Sequence, residues 1–438
     1  MSTDTSTNTS TNMNIAAASA NGQRAPLEGM RIVDLTQVVV GPLATQILAD
    51  FGAEVIKIEH PTGDLSRWIG GRSPTTPGMS GKYLHLNRNK KSLALDLKKP
   101  GALDSLKKLI ATADAVVHNM RPQAAARLGL APEDLQKLKP DLIYCSVVGF
   151  GQEGRYKDKP AYDSIIQGAS GLASINDGTD GVPRYVPMVI ADRTVGVMLA
   201  NCLLLAVVQR LRYGGPQPAE LPMFESMPAF VLAEHMFLKT FDPPLGGAGD
   251  SRLLNPNSRP IKTLDGYICM TANTDPQVHA MFRAIGRPEL SVDPRFADKK
   301  DRFENIGEMF RIRNEIFATR TTAEWLAILE AEDLPAMPMH TLDSVLEDPH
   351  LADTGLFQKV EHPTEGTLTN LRNPVRFATY TPALRNIAPH IGENSREVLQ
   401  EVGYTDAQIE DMIAAGAVVQ YAPKAKKAAA AEPAKAQA

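Results

Sequence analysis

The stretch RIVDLTQVVVGPLATQILADFGAEVIKIE, residues 31–59, decides the fold. Two short apolar runs, RIVDL (31–35) and AEVIKIE (53–59), flank PLATQILADFG (42–52), whose apolar positions recur at helical spacing. Val and Ile dominate both runs, as in strands covered on both faces. The rhythm continues through SLALDL (92–97), the helical GALDSLKKLIATAD (101–114), AVVHN (115–119) and LIYCSVV (142–148). Strand–helix alternation of this kind predicts an α/β fold with a doubly wound parallel sheet. No GxGxxG follows the first strand, so neither a nicotinamide nor a flavin cofactor is indicated.

Outward from this stretch the texture changes. Residues 1–25, rich in Ser, Thr and Asn, and the low-complexity 422–438 read as disordered tails. The remainder of a 438-residue chain is too long for one core. The expected organisation is a large domain whose first part is 26–222, a smaller α+β domain at 228–336, and a return to the large domain over 337–421. The small domain opens on Pro/Gly-rich loop, then a hairpin at 261–273 turning on Asp265-Gly266. Helical spacing follows, with a capping box at Thr321–Glu324. A second such box, Thr405–Gln408, opens a helix that Gly416 stops.

Formal net charge is −4 and the pI about 6.2, which argues against nucleic acid as a partner. Cys145, Cys202 and Cys269 are far apart, without CxxC or Cys/His clustering, so a cytoplasmic protein without disulfides or a metal site is expected. The longest apolar run, Val195–Val208, is interrupted by Asn201 and falls short of the roughly 20 residues that span a bilayer. It reads as a buried helix, and no membrane partner is expected.

GMSGKY (78–83) lacks the GxxxxGK[ST] spacing of a phosphate loop, GASG (168–171) is not a GxSxG elbow, and no HExxH is present. Two basic groups lie at strand ends: NRNKKS (87–92) and HNMRPQAAARLG (118–129). They suit a phosphate-bearing ligand in the crevice of an open sheet, or simply a solvated charge run. In VIADRTVG (189–196), Asp192 stands before a long apolar helix and reads first as its N-cap. A carboxylate held ionised at a helix N-terminus is also available as a nucleophile without a separate base.

The order of these landmarks resembles the family III CoA-transferases, the CaiB/BaiF (formyl-CoA transferase-like) group. The carriers are PLEGMRIVDLTQVVVGPLATQILADFGAEVIKIEHPTGDLSR, NRNKKSLALDLKKPG, ADAVVHNMRP…LGL, PDLIYCSVVGFGQEG, AYDSIIQGASG, ADRTVG, VEHPTEGTL and APHIGENSREVLQEVGYT. The resemblance runs from about Leu27 to Val419. It implies a Rossmann-like large domain built from both chain ends, an inserted small domain, and an interlocked homodimer. It also implies an enzyme that moves CoA from an acyl-CoA to a carboxylic acid, with no tightly bound cofactor.

Site residues carry over individually. Asp192 matches the catalytic aspartate, Gln37 a glutamine beside the reacting carbonyl, and Tyr162 and Asp163 polar active-site neighbours. Leu95, Leu97, Lys98, Asn119, Met120, Ala124, Arg127 and Leu128 match positions lining the CoA site, with Arg67, Arg88, Lys91 and Arg121 as further expected contacts. His60 occupies a CoA-contacting position held in formyl-CoA transferase by arginine, and Ile69 replaces a tryptophan tied to formyl/oxalate handling. That enzyme's long Gly-rich loop is also missing, which disfavours oxalate and formate. Arg184, Arg193 and Arg259 are candidates for holding a second carboxylate. The rival activity on this fold is an α-methylacyl-CoA racemase, but its histidine position is Tyr162, and a phenol is a poor substitute for an imidazole base. A rival of another class is a noncatalytic CoA-ester binding protein.

Overall fold

The computed structural model describes residues 24–177 and 180–423, so the expected tails lie almost wholly outside the described residues. Along the chain the elements run β1 (Arg31–Leu35), α1 (Val40–Asp50), β2 (Glu54–Glu59), α2 (Gly81–Leu86), β3 (Lys90–Leu95), α3 (Ala102–Ala111), β4 (Ala115–His118), α4 (Pro122–Arg127), α5 (Pro132–Leu138) and β5 (Ile143–Val148). After α6 (Asp163–Ala169) and α7 (Leu172–Ile175) come α8 (Ile190–Tyr213) and β6 (Gln217–Pro222). The later strands are β7 (Ile261–Lys262), β8 (Tyr267–Met270), β9 (Ala336–Pro338), β10 (Phe357–His362), β11 (Gly366–Leu371) and β12 (Val418–Val419).

The chain divides into two compact units. The first holds a seven-stranded sheet in the order β12-β3-β2-β1-β4-β5-β6. All pairings from β3 to β6 are parallel and only β12 joins antiparallel, so this is a mixed α/β architecture with a mainly parallel central sheet. Val33, Ile56, Leu93 and Val116 of the strands pack with Leu106 and Leu109 of α3 in one core, which explains the near-continuous Val/Ile composition. The strand order reverses direction between β1 and β4, and at such a switch point loops diverge to leave a crevice beyond the carboxyl ends.

The second unit comprises Asp163–Val189 and Phe224–Gly355. Its antiparallel sheet β7-β8-β9 and surrounding helices enclose a core with Phe317 stacked on Trp325, centroids 4.3 Å apart. The hairpin turn at Asp265-Gly266 and both capping boxes form as the residue types dictate. These boundaries differ from the expected ones. Residues 163–189 leave the first unit, and the chain rejoins it at Leu356 rather than at 337, because β9 still pairs with β8.

Helix α8 departs from two expectations. Helical geometry begins at Ile190, so Asp192 lies within the first turn rather than at the cap. Nor is the helix buried all round. Ala191, Val195, Gly196, Leu199 and Leu203 face the core, while Leu205 (68% exposed) and Leu211 (61%) share an open face with Val197 and Val208. It is a 24-residue helix long and apolar enough to cross a membrane by length and composition alone. Its inner face packs on α1, and Gly196 sets how closely: a Cβ there would stand 2.8 Å from the Val40 carbonyl oxygen and 3.1 Å from Leu43 Cδ2.

Candidate active site

The crevice between β1 and β4 opens into a cavity of about 260 Å³ within the first unit. Its lining includes Gln37–Val40 after β1, Asn119–Gln123 after β4, Val147–Gly149 at the end of β5, Lys157–Tyr162, Asp192 and Met223. The volume is below the roughly 300–1,000 Å³ of a pocket that encloses a drug-sized ligand.

The loop Thr36–Val39 is fixed from every side. Gln37 and Asn119 clasp across the switch point: the Gln37 N–H donates to Asn119 Oδ1 (3.1 Å), and Asn119 Nδ2 donates to the Gln37 carbonyl (3.0 Å). Asp34, fully buried on β1, accepts from the Thr36 N–H and from the Thr36 and Thr45 hydroxyls. Val38 has φ 70, a left-handed geometry that a β-branched residue adopts at a cost of about 1–3 kcal/mol. Its N–H reaches both carboxylate oxygens of buried Asp64 (3.1 and 3.2 Å). Just beyond, α1 starts without a side-chain cap, so its N-terminal dipole and backbone amides border the cavity. Gly41 is needed there, since a Cβ would lie 2.2 Å from the Thr36 side chain.

Beneath the loop sits a buried charge cluster. Lys57 Nζ donates to the Thr36 carbonyl (2.8 Å) and pairs with Asp64 (2.8 Å), and Lys90 pairs with Asp34 (3.0 Å). Burial alone would raise the Asp64 carboxyl, but the Lys57 ammonium and the donated N–H bonds hold it at about 2. Burial pulls Lys90 down to about 8 against the attraction of Asp34. His118, at the end of β4, is pushed by burial to about 4, so the ring is neutral. Its Nδ1 accepts the Met120 N–H (3.2 Å), which shapes the turn that presents Asn119.

Of the expected catalytic residues, Asp192, Gln37 and Tyr162 (69% exposed) line this one cavity. Asp163 instead opens α6 in the second unit, where Gln167 Nε2 donates to its carboxylate (2.6 Å). Of the expected CoA contacts, Asn119, Met120 and Arg121 line the cavity. His60, Leu97 and Lys98 follow the carboxyl ends of β2 and β3, and Ala124, Arg127 and Leu128 lie on α4 or just after it, on the same edge of the sheet. Lys98 and Arg127 are exposed cations there. The Leu95 side chain is buried in the core and offers a ligand only backbone.

Three expected cationic contacts are corrected. Arg67 is 2% exposed and forks onto Glu59 (2.7 Å at both nitrogens), with its face on the Tyr83 ring. Arg88 pairs with Asp50 (2.7 Å), and Lys91 with Glu54, Glu397 and Glu401. Arg88 and Lys91 also stand at the amino end of β3, the wrong edge for a ligand over the carboxyl ends. The group NRNKKS is thus structural, and its charge is neutralised inside the protein. Arg184 is paired with Asp180, and Arg259 lies in the second unit.

The motif reading missed the cluster Asp34, Lys57, Asp64 and Lys90, and the loop Gln152, Lys157 and Lys159 bordering the cavity. A signal for the first was present: lysine in the middle of EVIKIE, inside a strand covered on both faces, requires a buried partner.

A family model described as CoA-transferase family III matches residues 27–395 of this chain. The succinyl-CoA:glutarate CoA-transferase of Mus musculus is 32% identical over 403 residues, covering 91% of this chain and 92% of that protein. The formyl-CoA:oxalate CoA-transferase of Bradyrhizobium diazoefficiens is 31% identical over 435 residues, covering 92% and 99%. Among solved structures, that of Rv3272 from M. tuberculosis superposes with a TM-score of 0.75 at 31% identity, covering 85% of this chain and 99% of the other.

Proposed function

The chain belongs to CoA-transferase family III and is a transferase, and from that premise we propose that it moves CoA between carboxylic acids through covalent intermediates on Asp192. The observation that carries the reading is the convergence of Asp192, Gln37 and Tyr162 on one cavity beside the uncapped start of α1. The Asp192 carboxylate attacks the thioester carbonyl of an acyl-CoA, and collapse of the tetrahedral adduct expels CoA thiolate and leaves a mixed anhydride. The thiolate then attacks the aspartyl carbonyl, releasing the donor acid and forming an aspartyl-CoA thioester. The acceptor carboxylate attacks that thioester, and the thiolate expelled takes up the new acyl group, restoring Asp192. Charge builds on a carbonyl oxygen in each step, where the Gln37 amide and the first N–H groups of α1 supply stabilisation. Every intermediate is lost to hydrolysis if water enters, which favours a small cavity.

CoA lies along the carboxyl edge of the sheet, with Lys98 and Arg127 at its phosphates and Asn119 at the pantetheine amides. Relatives named for succinyl-CoA and glutarate make a dicarboxylate pair the first choice of substrates. The open apolar face of α8 supports a homodimer, and the free cysteines suit a reducing cytoplasm.

The test is incubation with succinyl-CoA and hydroxylamine, followed by peptide mass spectrometry. Hydroxamate on Asp192 is expected, together with glutaryl-CoA formation when glutarate is added. The Asp192→Asn variant should bind CoA but transfer nothing, and full activity in it refutes the mechanism. Deuterium exchange at the α-carbon without label would point to the racemase, and neither signal to a binding protein.

A further inference from the structure

Resting on the transferase reading, we propose that the buried Lys57–Asp64 pair is a positioning device for the catalytic loop, acting on the reaction through Gln37. The pair grips the residue on each side of Gln37. Lys57 Nζ donates to the Thr36 carbonyl (2.8 Å), and Asp64 accepts the Val38 N–H at both oxygens (3.1 and 3.2 Å). The two side chains meet at 2.8 Å and both are fully buried. With the backbone of Gln37 itself clasped by Asn119, the amide side chain is the part of that residue left to face the cavity.

Val38 explains why so strong a grip is present. A valine at φ 70 relaxes to ordinary backbone unless its surroundings forbid it. Relaxation would turn the Gln37–Val38 peptide and carry the Gln37 side chain away from Asp192. A carboxylate that takes the Val38 N–H while pinned by a buried ammonium opposes this. Asp64 has a second anchor too, accepting the Ser66 N–H at 2.7 Å and so tying the loop to the chain beyond β2. Neither Lys57 nor Asp64 is itself part of the cavity lining or of the carboxyl-edge cations, so the loss of the pair should act on the chemical step and not on CoA affinity.

Asp64→Asn keeps the side-chain shape and an acceptor but removes the charge. At saturating succinyl-CoA, the single-turnover rate of Asp192 labelling should fall at least about 10-fold, with the CoA dissociation constant held within about 2-fold. Gln37→Ala should do the same. The double variant should be no slower than Gln37→Ala alone, because Asp64 acts through the residue already removed. Fully multiplicative losses, or a loss confined to CoA affinity, overturn the inference. Should Asp64→Asn not fold, Asp64→Asn/Val38→Gly against Val38→Gly carries the same comparison, since glycine accepts this φ without strain. If the parent chain labels Asp192 with no donor, the transferase reading fails. The positioning inference is then judged by amide exchange over residues 36–40, expected about 10-fold faster in Asp64→Asn, with unchanged exchange refuting it.

Discussion

Replacing Gly196 by alanine tests whether the distance between α1 and α8 sets the catalytic geometry. The new Cβ would sit 2.8 Å from the Val40 carbonyl oxygen, with Leu43 Cδ2 at 3.1 Å and its Cβ at 3.3 Å. A carbon against a carbonyl oxygen needs about 3.3 Å, so the helices must part by about 0.5 Å. Overpacking of this kind costs about 1–3 kcal/mol. Alanine in a helix interior regains about 1 kcal/mol over glycine, leaving a net loss of about 0–2 kcal/mol. The effect on rate should be larger. Asp192 lies one turn before Gly196, while Val40 follows directly on the Gln37 loop, so the shift separates the proposed nucleophile from its proposed oxyanion donors. A misplacement of about 1 Å costs about 100-fold, and half of that about 10-fold. Transfer between succinyl-CoA and glutarate, followed by chromatography of the CoA esters, should show a roughly 10-fold fall in kcat. Thermal unfolding should show only a small fall in Tm. A variant with parental kcat would refute the idea that this close approach aligns Asp192.

Lys98→Ala and Arg127→Ala should each raise KM for the acyl-CoA about 10-fold with kcat held, as expected for loss of a charge-assisted phosphate contact of about 1.5 kcal/mol; the effect should vanish with an acyl-pantetheine donor, which lacks the phosphates. Acid unfolding should reveal His118. Its folded pKa of about 4 lies below the ordinary 6.5, so the unfolded chain binds the extra proton and stability drops as pH falls from 6.5 to 4. The loss is about 3 kcal/mol by the shift alone. His118→Asn, which keeps an acceptor for Met120, should flatten that part of a urea-unfolding pH series, and an unchanged slope would rule this source out. Leu205→Glu, on the open face of α8, should convert a dimer to monomer or aggregate in analytical ultracentrifugation, whereas an unaltered dimer would place the interface elsewhere.

What patterning reveals depends on whether a residue's environment is set locally. β1, β2, β4 and β5 are legible because burial on both faces favours a mainly apolar, Val/Ile-rich run, and the capping boxes because their bonds close within four residues. Asp192 was readable as an acid beginning a helix, but its offset from the cap depends on where helical geometry starts. The long-range partners were hidden: Lys57 meets Thr36 and Asp64, and Lys90 meets Asp34 from 56 positions away. The open face of α8 was hidden for a similar reason, since an apolar run announces burial without saying by what.

The basic residues around β3 show how strand direction separates two groups that look alike. Arg88 precedes the strand and Lys90 and Lys91 open it, whereas Lys98 follows it. In a parallel sheet the ligand crevice lies beyond the carboxyl ends, so only the cation that follows is aimed at an anion in solution. Those at the amino end of the strand are neutralised by Asp50, Asp34 and Glu54. Because strand direction is already contained in the order of residues, the same criterion accepts Lys98 and Arg121, which follow β3 and β4, and rejects Arg88 and Lys91. Arg67 escapes it: this arginine follows β2 and passes the directional test, yet is consumed by Glu59 at the end of the same strand. Direction is therefore necessary for a phosphate contact, and an unclaimed charge is the second condition.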